Sequence, residues 1–475
     1  MLLSILLSLF ALIGYGQNEI DSLLNLARYE IGRIHFMGAE NYLNEVEKID
    51  SLNPEHLYLR SEMKLLMGEN DFHSYVEKLR NIGADKYYHI MKLKYAVFTG
   101  LSEAEGMLEK YFAYYPDNEE IKFAKWLLDL DRGKYEYCMQ HASDISKGTV
   151  FTFAPYLALY NISWDRNYKN AIHYMDTVEQ IIGREFYGSM YREYLHILSD
   201  TDGTAVDTGL TELPFAWCES GVGFYMIDNK GDSLKIELDT GSGMNLMTVH
   251  DKSLGERTAG SDILTIENGI SFGYMEKPAD LYFKKSTFSV PAYENLIFGY
   301  FDGQFLKADG CASPFVFKNR ALHMDPINEK VYLFDRETLE KYKNENRDRI
   351  EKVPYIVRNG WIYIPCRING TEVLMFVETG SRDVNFNRIS LDALGLESYA
   401  GFIEWRGQDY PIDKVDCILE IGSIKYEVKG GLVTDRVHGN LLYGLASAGD
   451  IGPVFMNNFA FTIDVFNQQI IFKIN

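Results

Sequence analysis

One acidic motif occurs twice in this 475-residue chain, and its two copies stand 139 residues apart. Ile236-Glu-Leu-Asp239-Thr240-Gly241-Ser242 is an apolar strand pattern that ends in an acid, a hydroxyl and a glycine. Met375-Phe-Val-Glu378-Thr379-Gly380-Ser381 repeats it with glutamate in place of aspartate. The run from Gly310 through Pro314, Asn319 and Ala321 to Asp325 is matched at the same offset by Gly449, Pro453, Asn458, Ala460 and Asp464, and Gly231 keeps register with Gly370. Separate landmarks that share one spacing, with no net insertion, identify an internal duplication.

Each copy approaches its acid in the same way. In the first, Gly223 to Asp228 reads as a strand, Gly231 as a turn, and Ser233 to Leu238 as the return. In the second, Trp361 to Ile368 and Val373 to Val377 flank Asn369-Gly370, a dipeptide suited to a tight hairpin. Ile418-Leu-Glu-Ile-Gly422-Ser-Ile-Lys-Tyr426 predicts a further strand pair. Both acids therefore fall where an apolar strand runs out.

An apolar strand entering Asp-Thr-Gly-Ser, followed later in the chain by Gly452-Pro453-Val-Phe-Met-Asn-Asn458-Phe and Ile463-Asp464, resembles the pepsin and retropepsin-like aspartic peptidases. The resemblance covers about residues 211 to 475. It implies an all-β, bilobal double barrel in which each lobe supplies one carboxyl to a shared cleft. The candidate catalytic pair is Asp239 and Glu378. By the same resemblance Thr240 and Thr379 lace the two loops, Gly241 and Gly380 admit the backbone close to the acids, and Ser242 and Ser381 make outer hydrogen bonds. Tyr274, in Ile270-Ser-Phe-Gly-Tyr274-Met, is the candidate flap residue, set against its reading as a packed hairpin aromatic.

Two neighbouring carboxyls that share one proton can activate water at a peptide carbonyl with no metal or other cofactor. Two departures from the family pattern leave two outcomes open. Glu378 has one methylene more than aspartate, and Cys311-Ala312-Ser313 stands where an apolar pair and glycine are expected. Either an Asp–Glu pair hydrolyses a peptide or unfolded protein, or the cleft is that of an inactive pseudopeptidase that binds without cutting. Other chemistry lacks its motif: there is no H-E-x-x-H, G-x-S-x-G or Walker glycine loop, and the histidines do not fall at metal-ligand spacing.

Ahead of the lobes the pattern turns helical, with apolar residues three and four apart, as in Leu23, Leu24, Ala27 and Ile31. Turn residues recur at Gly38, Gly68, Gly100, Gly133 and Asn167, and prolines at 54 and 116 stop helices. A helix–turn–helix period near 33 resembles a degenerate tetratricopeptide repeat array, which implies a stacked solenoid with a groove for a peptide or protein partner. Tyr87, Tyr88, Tyr114, Tyr115, Tyr135 and Tyr137 line that groove in one reading; packing between helices is the reading the sequence favours.

The fold class expected is thus multidomain α + β. Residues 1–16 read as an export leader: the apolar run Leu2–Ile13 is too short to span a bilayer, and Gly14 and Gly16 suit cleavage, with an uncleaved anchor as the alternative. Residues 17–200 form the helical array, 201–210 a Gly/Asp/Thr linker, 211–335 lobe 1, 336–353 a solvated charged helix or linker, and 354–475 lobe 2. A net charge of −21 argues against nucleic acid and anionic membranes as partners. Five cysteines without C-x-x-C spacing predict buried free thiols, a single bridge from Cys218 being the alternative.

Overall fold

The computed structural model describes residues 18–32, 36–69, 71–131, 134, 137, 138, 140, 141, 172 and 176 of the N-terminal part. Beyond these it describes 209–218, 221–227, 232–241, 246–248, 281–285, 297–301, 308–314, 317, 320–358, 361–405, 408–434 and 447–474. Residues 1–16, read above as an export leader, most of 132–208, Tyr135, Ser242 and Tyr274 lie outside the described residues.

The N-terminal region is helical, and the remainder is rich in β-sheet. Helix α1 covers residues 18–32. It is followed by α2 (Phe36–Ile49), α3 (Pro54–Met67), α4 (Phe72–Asn81), α5 (Asp85–Phe98), α6 (Ala104–Tyr114) and α7 (Glu119–Asp131). Their boundaries have local causes. Asn53 caps α3 by accepting from the Glu55 and His56 amides at 3.1 Å, with Pro54 in the first helical position, where its missing N–H costs nothing. Gly68 ends α3 in the left-handed conformation, and Gly100 (φ +67°) turns the chain from α5 to α6. Gly38 differs from expectation: it lies inside the first turn of α2, where N–H groups lack intrahelical partners and glycine costs least.

The helices bury Leu24, Leu43, Leu57, Leu66, Phe98 and Phe123, and set a charged cluster deep among them. Lys94, 1% exposed, pairs with Glu62 at 2.7 Å and Glu120 at 2.5 Å and donates to Tyr58 Oη at 2.9 Å. Tyr87 stacks on Tyr58 with ring centres 5.1 Å apart, while Tyr87, Tyr88 and Tyr115 pack partly against the core and Tyr114 is exposed. Tyr58, Tyr87 and Tyr115 also border a groove of about 570 Å³ with Arg28 and Glu120. Among the described residues no helix is long and apolar enough to cross a membrane.

The β region begins with β1 (Leu210–Leu213), β2 (Phe215–Trp217), β3 (Val222–Ile227), β4 (Ser233–Leu238) and β5 (Leu246–Thr248). Next come β6 (Leu281–Lys285), β7 (Ile297–Phe301), β8 (Gly310–Ala312), β9 (Ala321–Asp325) and β10 (Lys330–Phe334). The second half holds β11 (Ile350–Pro354), β12 (Ile356–Arg358), β13 (Trp361–Ile368), β14 (Thr371–Val377), β15 (Val384–Asn387), β16 (Tyr399–Trp405), β17 (Gln408–Ile421), β18 (Ile424–Thr434) and β19 (Gly449–Ile451). The last two strands are β20 (Ala460–Asp464) and β21 (Gln469–Lys473).

The two copies of the repeat, termed lobe 1 and lobe 2 for their place in the chain, each form their own sheet, ordered β2-β3-β4-β8-β5-β7-β6 in the first and β12-β13-β14-β19-β15-β18-β17-β16 in the second. In both, the strand leading to the acid pairs in parallel with a short strand from much later in the chain, β4 with β8 and β14 with β19. A third sheet, β1-β10-β9-β20-β21-β11, joins the halves. At its centre His323 pairs with Thr462, Leu322 with Ile463 and Met324 with Phe461. His323 and Thr462 are themselves 139 residues apart, so the pairing is symmetric about them. The duplication read in sequence is therefore also a symmetry of strand register. The same offset relates the turn caps: Asp325 accepts from Asn328 Nδ2 at 2.8 Å, and Asp464 from Asn467 Nδ2 at 2.8 Å.

The charged stretch after lobe 1 is helix α8 (Arg336–Glu345), capped by Asp335 at the Thr338 amide (2.7 Å), and its last residues enter β11. It is less solvated than its charge suggests: Leu339 is buried, and Lys343 is buried against Asp464 at 2.8 Å. All five cysteines are free; Cys138, Cys311, Cys366 and Cys417 are buried and Cys218 is half-buried, so no bridge forms from Cys218.

His323 is 4% exposed, and its Nδ1 lies 2.8 Å from Thr462 Oγ1. Burial pushes its pKa down to about 4, against the opposing pull of Asp325. The folded state thus resists protonation that the unfolded chain accepts. The stability this provides is complete above about pH 6.5 and is lost as pH falls toward about 4, on the order of 3 kcal/mol across that window. His323→Gln, which keeps a polar partner for Thr462 without a titrating ring, is expected to flatten this part of the acid-unfolding curve, as urea midpoints measured between those pH values will show.

Candidate active site

The two acids occupy equivalent places because the two strand pairs end equivalently. Asp239 N–H donates to Ala312 O at 3.0 Å and Glu378 N–H to Ile451 O at 3.1 Å, acceptors related by the same offset as the acids themselves. Each carboxyl then accepts from the amide two residues ahead: Gly241 N to Asp239 Oδ1 and Gly380 N to Glu378 Oε1, both 2.9 Å. The glycines are required by close approach. A β-carbon on Gly241 would lie 1.7 Å from Glu378 Oε2, and one on Gly380 would lie 2.8 Å from Asp239 Oδ1. Each acid thus reaches over the other's loop, and the hypothetical β-carbon of Gly380 would lie close to both carboxyls, 2.8 Å from Asp239 Oδ1 and 3.0 Å from Glu378 Oε1. The extra methylene of Glu378 is absorbed without loss of either contact.

Beneath the acids the threonines are buried and reciprocal. Thr240 N–H donates to Thr379 Oγ1 and Thr379 N–H to Thr240 Oγ1, both at 2.9 Å. Their hydroxyls continue across the junction, Thr240 to Val377 O at 2.5 Å and Thr379 to Leu238 O at 2.7 Å. Each loop is therefore held by the opposite lobe's backbone, an arrangement that tolerates little relative sliding.

Burial and the negative charges of Asp239 and Asp450 together hold Glu378 well above the usual carboxylate range; the Gly380 amide pulls the other way. Two carboxyls this close resist ionising together, so the pair shares a proton, and Glu378 is an acid whose pKa the pairing raises. Among the described residues no cluster of three or more metal-ligating side chains is present.

Two further participants were not among the predicted site residues. Trp361, on β13, donates its indole N–H to Gly241 O at 2.5 Å and so ties a lobe 2 side chain to the lobe 1 acid loop. Asp450, fully buried on β19, accepts from Asn385 Nδ2 at 2.6 Å, and the same amide donates to Ser381 Oγ at 2.9 Å. Ser381, predicted to make an outer bond, is thereby anchored to strands behind Glu378. The signal for Asp450 was visible as a polar residue in an otherwise apolar strand position; Trp361 carries no signal without the fold. Trp361→Phe keeps an aromatic ring beside Phe376, 5.6 Å from Trp361 in the wild type, and removes the N–H along with part of the indole. It is expected to cost about 1 to 2 kcal/mol in thermal stability, measured by calorimetry, because Gly241 O loses its partner.

Comparison of the chain with models of known protein families and with curated proteins returns no match.

Proposed function

We propose that the chain is an exported aspartic-type peptidase that hydrolyses peptide bonds in extended or unfolded protein, its β region a bilobal double barrel and its helices a tetratricopeptide-like array. The observation that carries this reading is the convergence of the Asp239 and Glu378 carboxyls, each over the other's glycine, across loops laced by Thr240 and Thr379. A water placed on the pair loses a proton to the Asp239 carboxylate as its oxygen adds to the peptide carbonyl, while Glu378 protonates the developing oxyanion. Asp239 then passes its proton to the leaving nitrogen, the C–N bond breaks, and the remaining hydroxyl returns a proton to Glu378. No covalent enzyme intermediate forms, and general acid and base are regenerated together.

The departure at position 378 supports a second reading, an inactive relative that binds peptides. Incubating the full chain with a mixed peptide library from about pH 3 to pH 7, the range over which carboxyl pairs share a proton, separates them. Cleavage at defined bonds supports the peptidase. No cleavage by the wild type, with cleavage restored by Glu378→Asp, supports the binding module.

A further inference from the structure

The two lobes differ at one edge bond, and the difference leads to the helices. In lobe 1, Lys235 on β4 is held on that edge by a single later residue: Asp309 N–H donates to Lys235 O at 2.9 Å, and Asp309 Oδ2 accepts from Lys235 N–H at 2.7 Å. Their counterparts in the second copy are Leu374, on β14, and Ala448. Ala448 N–H makes the first bond, to Leu374 O at 2.9 Å, but alanine has no carboxylate for the second. The Leu374 N–H instead donates to Gly100 O, at 3.1 Å, and Ser102 N–H donates to Glu372 O at 3.4 Å. The turn between α5 and α6 therefore completes the edge of the strand that ends in Glu378.

The fit is close. A β-carbon on Gly100 would lie 2.8 Å from Leu374 Cβ and 3.2 Å from Leu374 N, and its φ of +67° already favours glycine. The same helices hold a second point: Tyr95 Oη donates to Ile389 O at 2.7 Å, just beyond β15. Strands β14 and β15 flank β19 in the sheet, and the Glu378–Ser381 loop leads from β14 toward β15. The helical region grips both sides of the loop that carries the acid.

We propose that the helical region is an integral brace of lobe 2, its 99–102 turn standing in for the carboxylate that Ala448 lacks and fixing the strand that positions Glu378. Its catalytic consequence rests on the peptidase reading; its structural content does not. A backbone N–H withdrawn from water needs an acceptor, and here lobe 2 obtains its acceptor from outside its own sheet. Lobe 1 makes both bonds itself at that place, so among the described residues only lobe 2 draws on the helices there.

The test uses the full chain and amide hydrogen exchange read at Leu374 and Ser102, beside peptide cleavage. Gly100→Val is expected to raise Leu374 exchange about tenfold or more and to lower kcat more than it raises KM. Adding Ala448→Asp to that variant restores Leu374 protection and the rate, because the carboxylate takes the position that Asp309 holds in lobe 1. Ala448→Asp alone competes with Gly100 O for one N–H, so Ser102 exchange rises while Leu374 stays protected; this arm decides if Gly100→Val fails to fold. Unchanged Leu374 exchange in Gly100→Val, no rescue in the double variant, or an undisturbed Ser102 amide in Ala448→Asp would each overturn the brace. If the wild type cuts no peptide, the peptidase reading fails while the exchange results still decide the brace.

Discussion

On the peptidase reading, Asp239→Asn is expected to lower peptide hydrolysis by about a thousandfold, on the order of 4 kcal/mol of transition-state stabilisation, with little change in fold. The carboxamide keeps an oxygen to accept the 2.9 Å bond from the Gly241 amide but cannot take a proton from water. Glu378→Gln is expected to lose activity to a similar degree for the opposite reason, since an amide cannot protonate the oxyanion. The two variants part in stability. Glu378 has a folded pKa raised above its usual 4.5, so the stability that its proton provides is complete below that pH and is lost as pH rises through the folded value. The carboxamide of the Glu378→Gln variant has no such proton to lose. That variant should therefore melt higher than the wild type at neutral pH, by about 2 to 4 °C for each kcal/mol of relieved repulsion, and the gap should close as pH falls toward 4.5. Thermal melts at several pH values, beside initial rates of cleavage, check both halves.

Thr240→Val is the second large effect. It removes the acceptor of the Thr379 amide and the donor to Val377 O in one step, leaving two buried backbone groups without these partners. Each such group costs about 1 to 3 kcal/mol, so a loss of about 4 kcal/mol is expected, readable from urea unfolding. Because the threonines hold the loops rather than touch the reacting atoms, activity should also fall by about a hundredfold through misplacement of the pair. Thr240→Ser, which keeps the hydroxyl, should recover most of both. Thr379→Val should behave alike, since its bonds mirror those of Thr240. Unequal losses would mean that one lobe tolerates rearrangement at the junction.

The duplication was legible because strand pairing preserves register. The offset shared by Asp239 and Glu378 reappears in their backbone acceptors, in the Thr240–Thr379 exchange and in the His323–Thr462 pair at the centre of the joining sheet. Helix periodicity and the left-handed glycines Gly68 and Gly100 were legible for the same local reason. Gly38 was misplaced because glycine marks either a turn or a helix's first turn, and only the surrounding backbone distinguishes them. The segment after lobe 1 was read from its charge, yet Lys343 is buried because Asp464, far along the chain, neutralises it. Trp361 on Gly241 and Gly100 on Leu374 join residues that no local pattern relates. What motif reading could not provide, for Lys343, Trp361 and Gly100 alike, was a partner distant in the chain.

The most direct measurement is the proton occupancy of the acid pair. Carbon-13 NMR of the full chain, labelled at the Asp and Glu side-chain carboxyls and assigned with the Asp239→Asn and Glu378→Gln variants, follows it through a titration. The account predicts that Glu378 keeps its proton well above the pH at which ordinary glutamates ionise, about 4.3, and that its titration moves down when Asp239 is replaced. Two carboxyls that each titrate in the ordinary range, indifferent to replacement of the other, would contradict it.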